Sequence, residues 1–134
     1  MSLQIFTDGG SKGNPGQAAI GIVFYRGSKE ILSYREDIGI TTNNVAEYTA
    51  VIRALELLKK NLPHFTFPVL RIEFYSDSLL LVNQLIGIYK VKKAHIGELI
   101  LTIRGWEQVI GLPILYHHIP REKNKRADSL VNGG

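Results

Sequence analysis

The feature that most constrains this chain is a change of hydrophobic period. Residues 3–8 alternate apolar and polar as a strand does, Ala18 to Arg26 is β-branched and aromatic, and Glu30 to Ile38 alternates again. Tight turns join them, Gly27-Ser28-Lys29 being the second, so these segments read as an antiparallel meander. At Val45 the period becomes helical: Val45, Tyr48, Val51, Ile52, Leu55 and Leu58 share one face. Asn44 reads as the N-cap of that helix and Pro63 limits its far end. Val69 to Tyr75 is a fourth strand, and a strand–helix–strand passage predicts parallel pairing with a right-handed crossover. Helical stretches follow at 77–87 and 94–110, then a strand from Ile114 to Ile119 and a short helix over 121–132. The order βββαβααβα predicts an α/β fold: one mixed five-stranded sheet with helices on both faces, in a single domain over residues 1–134.

Four acidic residues occupy distinctive places in that order. Asp8 and Asp77 each end an apolar run, Glu47 lies near the start of the first helix, and Asp128 lies in the basic tail. A carboxylate at a strand end is rigidly held yet open to solvent. Several such groups brought together repel one another unless a divalent cation sits among them. Taken singly, each has a plainer reading. Asp8 suits an Asx-turn, Ser76-Asp77-Ser78 suits a helix N-cap, and Asp128 suits a surface ion pair. Asn44 with Glu47 three residues later fits a capping box.

Gly9 to Gly16 reads as a turn rather than as a phosphate loop, because no Gly-Lys-Ser/Thr ending or helix pattern follows. Its small residues would let a nucleic-acid strand approach the backbone. Asn43 and Asn44 offer more donors than one cap uses, and asparagine can read a minor groove. His117 and His118 are adjacent on a strand and point to opposite faces, so at most one faces such a site. His118 is the candidate proton shuttle.

Composition narrows the chemistry. With no cysteine, disulfides, thiol catalysis and thiolate metal sites are excluded. A charge of +4 and a pI near 9.4 accompany two basic clusters, Lys90-Lys92-Lys93 and Arg121-Lys123-Lys125-Arg126. A basic rim about an acidic centre suits a polyanion whose reacting group meets metal ions. No apolar stretch approaches a membrane span and no signal peptide precedes the first strand, so the expected setting is cytoplasmic, without membrane association.

Thr7-Asp8-Gly9-Gly10-Ser11 with Gly13-Asn14-Pro15-Gly16, Thr42-Asn43-Asn44-x-Ala46-Glu47, Ser76-Asp77-Ser78 and the run from His118 to Asp128 together resemble type 1 ribonuclease H. The motifs fall in that family's order and span nearly the whole chain. The resemblance implies a metal-dependent endonuclease that hydrolyses the RNA strand of RNA–DNA hybrids, leaving 5′-phosphate and 3′-hydroxyl ends. It implies that Asp8, Glu47, Asp77 and Asp128 hold two Mg2+ ions, with Mn2+ a possible substitute, about 4 Å apart across the scissile phosphate. It gives His118 to proton transfer or product release. Asn14, Asn43 and Asn44 become minor-groove contacts, with Gly9, Ser11, Thr42 and Ser78 among the substrate-binding residues.

The chain departs from the better-known bacterial members. Neither a basic protrusion nor a hybrid-binding domain is expected, so substrate grip is expected either to be weaker or to fall to Lys90, Lys92 and Lys93. Pro120-Arg121-Glu122-x-Asn124-Lys125 aligns it with compact members, some of which also take duplex RNA. A monomer is expected. The competing readings are a non-catalytic hybrid-binding module on the same fold and a scaffold domain on an unrelated one. DNA-cutting integrases and transposases fit less well, given the paired asparagines before Glu47.

Overall fold

The computed structural model describes residues 2–133. The sheet contains β1 (Ser2–Gly13), β2 (Gly16–Arg26), β3 (Lys29–Thr41), β4 (Arg71–Ser76) and β5 (Ile114–His118) in the order β3-β2-β1-β4-β5. The first three strands pair antiparallel, β4 runs parallel to β1, and β5 runs parallel to β4. The helices are α1 (Asn43–Asn61), α2 (Leu79–Leu85), α3 (Ala94–Ile110) and α4 (Lys125–Val131), with 3-10 turns at Leu62–His64 and Arg121–Lys123. This is the βββαβααβα architecture expected from the hydrophobic periods.

Alternation assigns the faces. Leu3, Ile5, Ile20, Ile22 and Phe24 enter the main core with Tyr48, Val51, Leu55 and Leu58 of α1 and Ile96 and Ile103 of α3. On the opposite face Val23 meets Ala127 and Leu130 of α4, with Phe6 and Tyr25 beside them. Strand β2 is thus covered on both sides, which is why Ala18 to Phe24 is an unbroken run of small and apolar residues. Among the described residues no helix is long and apolar enough to cross a membrane.

Three local expectations are corrected. Residues 9–13 are not a turn: β1 continues through them, paired residue for residue with β2 to the Gly13–Gly16 pair. Glycines, Ser11 and Lys12 carry no strand signature of their own, so the pairing overrides propensity. The cap of α1 is Thr42 rather than Asn44. Its hydroxyl accepts from the Val45 N–H at 3.2 Å, and Asn44 already belongs to the helix, so the Asn44–Glu47 capping box does not form. The basic tail divides into the 3-10 turn and α4 instead of forming one helix.

Two glycines set the spacing of the layers. A Cβ on Gly9 would lie 2.4 Å from the Ala46 carbonyl group and 2.7 Å from the Glu47 nitrogen. A Cβ on Gly21 would lie 2.4 Å from the Ala127 oxygen. Helix α1 therefore rests directly on β1, and α4 directly on β2. Gly9→Ala should lower stability by about 2 kcal/mol, since backbone rather than a flexible side chain must give way. Gly105→Ala, where open space surrounds an exposed position of α3, should raise it by up to about 1 kcal/mol. Urea unfolding of the two variants checks the pair.

Candidate active site

The sheet splits where the carboxylates gather. Pairing between β1 and β4 ends at Phe6–Tyr75, whereas β1 and β2 stay paired to Gly13. Asp8 and Asp77 lie just past that last parallel pair, one on each side of the notch. Close contact at Gly9 carries α1 to the same place and brings Glu47 with it. Oxygen atoms of Asp8, Glu47 and Asp77 lie within 4.8 Å of one another. Asp8 and Gly21 are cross-strand partners, so the contact at Gly21 holds α4 over Asp8. Asp128 of α4 lines the same cavity of about 520 Å3, near enough to Asp8 for its charge to act on that carboxyl. All four predicted carboxylates are therefore brought together.

Their electrostatics follow from this crowding. Asp8 is 9% exposed, and its carboxyl is pushed up to about 8 by burial, then by the charges of Asp77 and Asp128. Glu47 is pushed up to about 7, mainly by burial, although a hydrogen bond from Ser78 opposes the change. Asp77 is raised by burial, with Arg121 and His118 opposing. Without a cation the cluster resists ionisation. An all-oxygen donor set of this kind suits a hard divalent cation, which would favour the ionised forms. The residues present fit such an ion.

Supporting contacts place the remaining predicted residues. The Ser78 hydroxyl accepts from the Leu81 N–H at 3.2 Å, capping α2, and lies near enough to Glu47 to favour its ionised form. Asn43 accepts from the Ser11 N–H at 2.8 Å, and its own N–H donates to the Asn14 side-chain oxygen at 3.1 Å. Ser11, Asn14 and Asn43 thus tie the β1–β2 turn to the start of α1 through the asparagine side-chain oxygens, and among the described residues neither side-chain NH2 group makes a hydrogen bond. Gly9, Ser11 and Asn43 line the carboxylate cavity. Gly9 is also filled from behind by α1, so its smallness serves helix packing there. Asn44 lies instead in a neighbouring groove with Leu80, Tyr89, Lys90, Lys92 and Lys93. His118 is exposed at the end of β5 and is absent from the cavity wall, though near enough to Asp77 to act on its charge. His117 faces away: Nε2 lies 3.2 Å from Glu73 and the ring stacks on Tyr75.

Two polar residues from the run before Asp128 also matter. The Asn124 side chain, 1% exposed, donates to the Thr7 carbonyl at 2.9 Å. That amide takes the place of a strand partner where the sheet divides. Arg121, 79% exposed, reaches Asp128 at 3.7 Å. The sequence places Arg121 in a basic rim and Asn124 in a motif, but neither contact is visible there.

Comparison with known proteins agrees with this geometry. The RNase H family model matches residues 1–134. Ribonuclease HI of Halobacterium salinarum is 36% identical over 97% of this chain and 62% of its own length. Ribonuclease H of Chlorobaculum parvum is 32% identical over 97% of this chain and 92% of its own length. The chain spans only 35% of a 34%-identical relative in Mycobacterium tuberculosis, the bifunctional protein Rv2228c. Among solved structures, LC11-RNase H1 in complex with an RNA/DNA hybrid superposes with a TM-score of 0.90 at 41% identity, covering 98% of this chain and 95% of that one. RNase H1 of Halobacterium salinarum gives a TM-score of 0.85 at 34% identity, covering 98% and 96%. With the fold, the gathered carboxylates and a match along its whole length in accord, this chain belongs to the RNase H family.

Proposed function

We propose that residues 1–134 form one catalytic domain, an endonuclease that hydrolyses the RNA strand of RNA–DNA hybrids and leaves 5′-phosphate and 3′-hydroxyl ends. The observation that carries the reading is the convergence of Asp8, Glu47 and Asp77 within 4.8 Å, with Asp128 on the wall of the same cavity. In this reading the four carboxylates hold two Mg2+ ions, with Mn2+ able to substitute. Bound there, the ions supply Lewis-acid activation of water and charge stabilisation at the leaving oxygen.

The protein's own groups do the remainder. Ser78 orients Glu47, Arg121 supplies positive charge beside Asp128 and Asp77, and exposed His118 is free to carry a proton. The outward amide groups of Asn14 and Asn43, with Asn44, are placed to read a minor groove, where 2′-hydroxyls distinguish RNA from DNA. Thr42 shapes that surface by capping α1. The groove of Lys90, Lys92 and Lys93 offers positive charge to a second strand. The RNA/DNA hybrid bound by LC11-RNase H1 supports the same substrate class. A cytoplasmic monomer completes the reading.

The test uses end-labelled RNA–DNA, RNA–RNA and DNA–DNA duplexes with Mg2+. Cleavage confined to the RNA of the hybrid is expected. Added cleavage of duplex RNA would widen the substrate class, and tight binding of hybrid without cleavage would move the protein to the binding-module reading.

A further inference from the structure

Helix α4 carries Asp128 but is only seven residues long. A helix of that length has little stability of its own, so contacts with the body must fix it. Ala127 and Leu130 supply the apolar part, and contact at Gly21 allows close seating. At its N-terminal end Asn124 grips the Thr7 carbonyl. At its C-terminal end the Arg35 Nε donates to the Leu130 carbonyl at 2.8 Å, while the other side of the guanidinium lies 2.9 Å from Asp37.

The strand register makes this contact specific. Asp8 pairs with Gly21, and Gly21 pairs with Arg35, so the three form one row across β1, β2 and β3. Helix α4 lies across that row, with Asp128 near Asp8 and the Leu130 carbonyl at Arg35. A cation that also donates a hydrogen bond complements the negative end of a helix. It holds the last turn, whose hydrogen bonds run from the Asn132 N–H to the Asp128 carbonyl and from the Gly133 N–H to Leu130.

We propose that Arg35 is a positioning residue: by fastening the C-terminal turn of α4 it sets the place of Asp128 in the carboxylate cluster, and so the affinity of the site for divalent cations. This rests on the reading that the cluster is a metal site. Two plainer roles make different predictions. As a surface partner of Asp37, which is 74% exposed, Arg35 would contribute almost nothing. As a direct substrate contact on the cavity wall, it would change the KM for hybrid and leave metal binding alone.

The experiment titrates Mn2+ without nucleic acid, reading free Mn2+ by electron paramagnetic resonance. It compares the parent protein, Arg35→Ala, Arg35→Lys, Asp128→Asn and the double variant Arg35→Ala/Asp128→Asn. Arg35→Ala is expected to weaken Mn2+ binding about tenfold, as losing support for a metal ligand commonly does. Arg35→Lys, which keeps a cationic donor, should recover most of that loss. In the Asp128→Asn background, Arg35→Ala should change affinity less than about twofold, because the residue through which it acts is gone. Circular dichroism establishes folding, and Arg35→Gln replaces the alanine variant if that one does not fold. Unchanged Mn2+ affinity in Arg35→Ala, or the same loss with and without Asp128, overturns the proposal while leaving the metal-site reading in place. A parent protein that takes up no Mn2+ overturns that reading and this inference with it.

Discussion

Asp8→Asn should lower the rate of RNA-strand cleavage by about a thousandfold and, in the same molecule, raise metal-free stability at pH 8. Asp8 stands at the centre of the cluster, close to Glu47 and Asp77 and within reach of the Asp128 charge. An amide keeps the shape, but it brings no charge to a cation. The catalytic loss is that of a charge-stabilising group at the reacting centre. The stability gain has the opposite origin. Three other carboxylates surround a nearly buried position, and a neutral side chain there removes repulsion and the burial of a charge. The gain should be about 1–2 kcal/mol, a trade of stability against function of a familiar kind. Single-turnover cleavage and urea unfolding in EDTA measure the two halves. A variant less stable than its parent at pH 8 in EDTA would contradict this account of the cluster.

The second large effect is a dependence of stability on pH that a divalent cation cancels. Burial and the neighbouring carboxylates push Asp8 up to about 8 and Glu47 up to about 7 in the folded protein, against ordinary values of 3.8 and 4.5. Between those limits the folded chain holds protons that the unfolded chain has released. By linkage, metal-free stability must fall as pH rises from about 5 to about 8. Glu73 and Asp37, held low by Ser2 and by Arg35, act in the opposite sense but only in more acid solution. The net fall should be at least about 2 kcal/mol, or roughly 8 °C in Tm. Mg2+ competes with those protons, so the Tm gained on adding it should grow with pH. Thermal unfolding at pH 5.5 and pH 8, each with EDTA and with Mg2+, tests the sign. A metal-free Tm that does not fall with pH, or a Mg2+ shift larger at pH 5.5, would contradict it.

How much of this is legible in the sequence depends on what carries the signal. The strands and the long helices announce themselves through their hydrophobic period, and the order of elements follows directly. The extension of β1 through Gly9 to Gly13 does not, because only pairing with β2 holds those residues extended. Asn44 is the better cap on paper, yet α1 begins at Asn43 and the extended Thr42 before it caps the helix. Each carboxylate stands in a telling local setting, yet the settings alone leave a plain alternative for every one. What joins them is the contact of two helices with two strands at Gly9 and Gly21, a long-range fact with no local pattern. Arg35 is hidden for a related reason. On an edge strand of alternating exposure it looks like one more solvated charge until its register with Gly21 and Asp8 is known.

The central claim is that these four carboxylates form a metal-dependent centre that cuts RNA. The most direct measurement is cleavage of an end-labelled RNA–DNA hybrid in Mg2+ by the parent protein and by Asp77→Asn, with binding of the hybrid measured beside it. The parent should cut only the RNA strand, leaving 5′-phosphate ends, and the variant should bind but no longer cut. Undiminished cleavage by Asp77→Asn would contradict it.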